Sequence, residues 1–380
     1  MSSRKFRRGL AAALAFGVLA AWSQAAPNLA SATGSETTPP SDSATSDTDP
    51  APADSTTPGT AALAEVPPQF ADGSVNIALV AQLSAGDYFE QWRAGAEAQA
   101  EELGITLDFL GADGDNDRHA LNLQQAIDNE ADAIIVDHGF PETIQPVIGQ
   151  AVEAGIPVVA FDVDPGEHEV VTLSQSDEEI AGTVLEVLGE DTGGEGEVIY
   201  VYVSGFAPLD RRDAVWQQFK QDNPGITEVA QIGVVSDNTA AQVAEQAKAA
   251  LQANPDVTAI FAPYDEFAKG AVQAVQELGL EDQVRVYGAD ISNADIAVIT
   301  AEGSPWVATS ATDPSNVGAV AVRAAALLAA GEDVPQDIVV PPALITQQQL
   351  RDGNIQNISE LIEVVPELNT PDLVPIPWLG

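Results

Sequence analysis

Cysteine is absent from the 380-residue sequence. Disulfides, thiol catalysis and a lipid anchor carried on cysteine are therefore excluded. Basic residues are scarce: 14 Lys and Arg stand against 58 Asp and Glu, a net charge of −44. Such a balance repels nucleic acid and anionic lipid, and neither is expected as a partner. The three histidines, His119, His138 and His168, lack metal-ligand spacing, so no metal is assigned. No apolar run beyond Trp22 is long enough to span a membrane. A glycine-rich dinucleotide fingerprint is missing too, because VNIALVAQL is followed by SAGDYF, and no phosphate loop with Gly-Lys-Ser/Thr occurs. No cofactor is expected. With no G-x-S-x-G elbow either, no catalytic residue is assigned.

What is present begins with an address. Arg4, Lys5, Arg7 and Arg8 precede GLAAALAFGVLAAW and then Ser23-Gln24-Ala25-Ala26-Pro27. A basic head, a short apolar core and a small-x-small end make residues 1–25 a secretory signal peptide. Export without a cysteine anchor points to the periplasm, and the acidic excess suits a salty exterior in which repulsion is screened. Residues 26–73 are rich in Ser, Thr, Pro, Asp and Ala and poor in large apolar side chains. That composition predicts a disordered leader, with order starting near Ser74. GADGDND (111–117) carries part of a calcium-loop pattern but lacks the glutamate at the twelfth position.

From there apolar runs alternate with amphipathic segments. VNIALVAQL, ITLDFLGA, ADAIIVDH and IPVVAFD read as strands with YFEQWRAGAEAQAEELG, HALNLQQAIDNE and TIQPVIGQAVEAG between them as helices. A second series runs from DEEIAGTVLEVLGE through the strands GEVIYVYVSG, ITEVAQIGVV, VTAIFAPYD, QVRVYGAD and PWVATSATD, ending in the helix PSNVGAVAVRAAALLAAG. This is α/β alternation with parallel sheets, repeated twice. In an open parallel sheet, ligands bind beyond the carboxyl ends of the strands. Three such ends carry Asp162, Tyr264-Asp265 and Asp290. Pooled carboxylates there accept hydrogen bonds from hydroxyl groups, so the expected ligand is a small polyhydroxylated molecule.

The segments IALV, AGAEAQAEELGITL, ADAIIVDHG, AGIPVVAFD, NPDVTAIFAPYDEFAKGAVQAVQELG, VYGADISNAD and WVATSATDPSNVG resemble the type I periplasmic binding proteins. The resemblance spans about 74–345 and is to the ribose-, galactose- and autoinducer-2-binding group of ATP-binding-cassette importers. It implies two Rossmann-like lobes joined by a three-segment hinge, the first formed by 74–174 plus 313–341 and the second by 175–312 plus 342–365. Residues 366–380 would form a C-terminal tail.

The same resemblance implies a site. Tyr88 and Phe89 fall where the family carries ring-stacking aromatics, and Asp162 matches its aspartate after the fourth strand. Arg212 falls at the ligand-binding arginine. Tyr264, Asp265, Asp290 and Thr312 complete the set, with Gln82, Asp87, Trp92 and His138 as weaker candidates. Trp92, one turn beyond Tyr88, suits packing better than contact. Val163, Gly86 and Tyr264 depart from the family pattern and argue against simple ribose. The implied function is a monomeric, non-enzymatic binder that closes on a sugar or polyol and delivers it to an inner-membrane permease. An autoinducer-2-type signal binder, a chemoreceptor partner and a periplasmic glycoside hydrolase are the alternatives.

Overall fold

Runs such as IALVA and VVAF have no polar face to give to water, and they become strands covered on both sides. A computed structural model describes residues 63–379. The signal peptide and the leader up to residue 62 lie outside the described residues. The remainder of the predicted leader is structured: the short helix α1 (Pro68–Ala71) buries Phe70, whose ring lies 5.3 Å from that of Trp378. The expected start near Ser74 is therefore too late, because an aromatic contact with the far end of the chain orders this stretch.

The first half runs β1 (Asn76–Ala81), α2 (Asp87–Leu103), β2 (Thr106–Gly111), α3 (Asn116–Asp128), β3 (Ala133–Asp137), α4 (Pro141–Glu153), β4 (Val158–Phe161) and β5 (Val171–Gln175). The second runs α5 (Asp177–Thr192), β6 (Glu195–Val201), α6 (Ala207–Asp222), β7 (Gly225–Ile232), α7 (Thr239–Ala253), β8 (Val257–Ala262), α8 (Asp265–Leu278), β9 (Arg285–Ala289), α9 (Asn293–Thr300) and β10 (Trp306–Ala311). Then come α10 (Pro314–Ala330), β11 (Asp337–Val340), β12 (Ala343–Thr346), α11 (Gln347–Asp352) and α12 (Ile358–Val364).

Two six-stranded sheets result, ordered β11-β5-β4-β3-β1-β2 and β12-β10-β9-β8-β6-β7. All pairs are parallel except β10 with β12. Strand order reverses around β1 in one sheet and β6 in the other, which opens a crevice at the carboxyl ends of both. The α/β two-sheet architecture is the one expected. Three strands were not read from the sequence. VTLSQ (β5) alternates only briefly, and β11 and β12 have four residues each, separated by Pro341-Pro342.

The chain crosses between sheets at Gln175–Asp177, Ala311–Pro314 and Val340–Ala343. It then crosses once more. Leu361 and Leu368 are buried in the second lobe, whereas Val374, Ile376 and Trp378 are buried in the first beside Phe70 and Ile77. Asn316 and Arg323 of α10 hold this return by donating to the carbonyls of Leu368 and Pro371 at 3.0 and 2.9 Å. The tail is thus a fourth strap rather than a free end. In the first lobe α2 and α10 pack backbone to backbone, and a Cβ added at Gly318 would lie 2.1 Å from the Trp92 carbonyl oxygen.

Candidate ligand-binding site

Between the lobes, at the strand ends, lies a pocket of about 440 Å³ counted out to its mouth. Its lining divides by chemistry and by origin. Leu83, Phe206, Pro208, Leu209 and Val235 come from the segments after β1, β6 and β7. His138, Gln175 and Asp290 come from the ends of β3, β5 and β9, joined by Arg212 on α6. Tyr88 and Phe89 on α2 and Tyr264 complete it.

The polar end is rigidly built. Arg212 is 2% exposed; its Nε donates to Asp177 Oδ1 at 2.7 Å, and Nη1 to the Pro263 carbonyl at 2.8 Å. Nη1 and Nη2 also reach the two oxygens of Asp290, both at 3.3 Å. Burial opposes the charge on Arg212, but Asp290 and Asp177 more than offset it and raise its pKa. Burial likewise pushes Asp290 up, against the pull of Arg212. Arg211 donates Nε to the other oxygen of Asp177 and Nη2 to Asp162, each at 2.7 Å. Gln175 receives the Thr312 hydroxyl proton at 2.6 Å and donates to Asp162 at 3.4 Å.

His138 sits edge-on to Phe89 and Phe161, with Nδ1 2.5 Å from Asp137 Oδ1. Burial alone would depress its pKa; Asp137 outweighs that and raises it. His138, Asp162 and Asp290 all have positive φ, at 56°, 48° and 69°. Left-handed backbone in three non-glycine residues at strand ends is the kind of strain that collects at functional sites. The Tyr88 hydroxyl is buried with no hydrogen-bond partner. A group of that kind is costly unless something completes it.

The two lobes touch across this pocket. Arg211 of the second meets Asp162 of the first, and the Phe140 and Phe206 rings stand 4.9 Å apart. The conformation is closed.

A family model described as a periplasmic binding protein domain matches residues 77–333. The chain belongs to the periplasmic binding proteins. A 5-methylthioribose transporter solute binding protein from Thermotoga lettingae, solved with 5-methylthioribose, is 44% identical to this binding protein. It superposes with a TM-score of 0.79 over 81% of this chain and 98% of its own. A sugar ABC transporter structure from Yersinia enterocolitica is 30% identical, with a TM-score of 0.80 over 84% of this chain and 98% of its own. Among curated relatives, the ribose import binding protein of Bacillus subtilis is 25% identical over 74% of this chain and 93% of its own length.

Of the residues expected in the binding protein's site, Tyr88, Phe89, His138, Arg212, Tyr264 and Asp290 line the pocket. Others do not. Asp162 is engaged by Arg211 and Gln175, and Thr312 stands behind Gln175. Gln82 donates to Asn116 at 2.6 Å, and Trp92 stacks on Phe161 at 5.2 Å, as packing. Asp265 opens α8 and accepts from the Glu266 N–H, while Asp87 meets Lys269. Asp265 is the first residue of α8 and lacks the left-handed backbone found at Asp290.

Sequence reading missed Asp177, the shared acceptor of both arginines, and Gln175, whose strand went unrecognised. It also missed Phe206, Pro208 and Leu209. GFAPLD opens α6 with Pro208 in its first turn, and Phe206 and Leu209 are buried against the second lobe's core as well as lining the pocket, so the run reads as an ordinary helix start.

Proposed function

We propose that this protein is the solute-binding component of an ATP-driven importer and carries a pentose-like sugar bearing an apolar substituent. The class is that of 5-methylthioribose. The divided lining carries this reading. A free sugar or polyol offers hydroxyls on all sides, and half of this pocket has nothing to donate or accept. A sugar with one apolar end matches both halves, and the relative that is 44% identical was solved with such a molecule.

In this reading Tyr88 and Phe89 bury a face of the ring, whose C–H groups pack well on aromatic planes. Asp290 accepts hydroxyl protons, while Arg212, Gln175, His138 and the unpartnered Tyr88 hydroxyl supply further hydrogen bonds. Phe206, Leu209 and Val235 take the substituent. Closure of the lobes presents the loaded form to a membrane permease. The chain works as a monomer in the periplasm after removal of its signal peptide.

Glycoside hydrolysis uses two carboxyl groups flanking one bond. Among the described residues, Asp290 is the one carboxylate lining the pocket, and Arg212 engages it. That geometry favours holding a sugar over cleaving it.

Thermal melting of the purified chain against 5-methylthioribose, pentoses, hexoses and polyols tests the proposal. A ligand at a hundredfold its Kd stabilises by about 2.7 kcal/mol. The largest rise is expected with 5-methylthioribose. No rise with any sugar or polyol would overturn the reading.

A further inference from the structure

A second ionic cluster lies beside the pocket without lining it. Its centre is Lys269 of α8, whose side chain is 14% exposed. Nζ lies 2.5 Å from Asp87 Oδ2, contacts Glu266 Oε1, and stands 3.5 Å from both Asp265 Oδ2 and Asp295 Oδ1. Asp265, Glu266 and Asp295 belong to the second lobe, as does the lysine. Asp87 alone comes from the first, as the opening residue of α2. The Asp87–Lys269 pair therefore exists only while the lobes are together.

The ammonium is shared among four carboxylates, three from its own lobe and Asp87 from the other. Asp265 and Asp295 are 0% exposed, and Asp265 Oδ2 and both Asp295 side-chain oxygens have no hydrogen-bond donor. Burial pushes both carboxyls up, Asp295 to about 6, while Lys269 is held charged against its own burial by these same acids. The shortest contacts of the ammonium are those to Glu266 and, across the lobes, to Asp87. Neighbouring contacts close in register with the pair. Gln91, one turn along α2, accepts from the Asn293 N–H of the second lobe at 3.1 Å. A Cβ added at Gly86 would lie 3.2 Å from the Tyr264 hydroxyl.

We propose that Asp87 and Lys269 form a latch that holds the lobes closed over the bound solute and sets how fast it leaves. The latch rests on the closure reading above, although neither residue touches the pocket. Both are positioning residues. They act on the lifetime of the closed state rather than on contacts with the sugar.

The test uses Asp87→Asn in the full mature chain, with the sugar that most stabilises the wild type as probe. Stopped-flow dissociation is expected to accelerate about tenfold with the association rate nearly unchanged, as is usual when a contact made after encounter is lost. Ligand-free unfolding should be unaltered, a result that a merely structural role for Asp87 would not give. Asp87→Glu, which still reaches the ammonium, should restore most of the slow release. Dissociation within twofold of wild type in Asp87→Asn would overturn the latch. Should no sugar bind the wild type, the transport reading fails first. The latch is then read separately, from the closed fraction of ligand-free chains carrying fluorophores at Leu121→Cys and Asp282→Cys. An equal closed fraction with and without Asp87→Asn would also overturn it.

Discussion

Arg212 Nε donates to Asp177 Oδ1 at 2.7 Å, with the arginine 2% exposed and the aspartate 0%. Asp177 opens the helix that follows the first crossing between sheets, so this pair ties the pocket's main donor to the hinge. Breaking a buried pair on one side costs about 3–5 kcal/mol, because the remaining charge is left uncompensated. Arg212→Met should lower unfolding free energy by that order in denaturant titration and abolish sugar binding by calorimetry. Arg212→Lys keeps the charge but not the planar fork, and should fall between the two.

The apolar end of the pocket should decide between sugars. Leu209→Asn places an amide where a substituent would pack. Affinity for 5-methylthioribose should fall about tenfold, in line with 1–3 kcal/mol per apolar group in a fitted pocket. Affinity for unsubstituted ribose should stay within twofold. Parallel calorimetric titrations of wild type and variant read both.

Close packing of α2 on α10 predicts a sharp contrast between two glycines. Gly318→Ala would drive a methyl to 2.1 Å from the Trp92 carbonyl, and backbone cannot yield as a flexible side chain can. A loss of about 1–3 kcal/mol or more follows from such overpacking. Gly182→Ala in α5 meets nothing within 4 Å. It should gain about 0.5–1 kcal/mol from helix propensity. Denaturant midpoints of the two variants check both signs.

Burial raises the Asp313 carboxyl from 3.8 to about 6, against two backbone N–H groups that lower it. A carboxyl with a raised pKa binds its proton more tightly in the folded chain than in the unfolded one. Its favourable contribution is complete below pH 3.8 and is lost as pH rises through about 6. Asp162 and Asp295 are raised to about 6 as well, so the wild type should melt higher at pH 5 than at pH 7. Asp313→Asn keeps an N-cap for α10 and removes one titrating group. Its melting temperature should vary less over that range, and an unchanged slope would contradict the assignment.

The alternating architecture was legible because runs such as AIIVD and VVAF are too apolar to face water anywhere. Arg212 was legible through the family resemblance, which places a ligand-binding arginine at that position. What the sequence hid was partnership. Asp162, Asp265 and Asp290 look alike as strand-end aspartates, yet one faces the pocket, one pairs with Arg211 and one joins the Lys269 cluster. Whether the backbone turns left-handed before the helix begins separates Asp290 from Asp265, and local sequence does not declare that. Asp177 was invisible for another reason. It reads as an ordinary acidic first turn, and only the fold brings α6 alongside it.

The central claim is that this pocket selects a sugar with an apolar end. Isothermal titration of one preparation with 5-methylthioribose and with ribose tests it most directly. The account predicts binding of 5-methylthioribose at least tenfold tighter than ribose, a difference of about 1.4 kcal/mol or more. Ribose binding as tightly as 5-methylthioribose, or tighter, would contradict it.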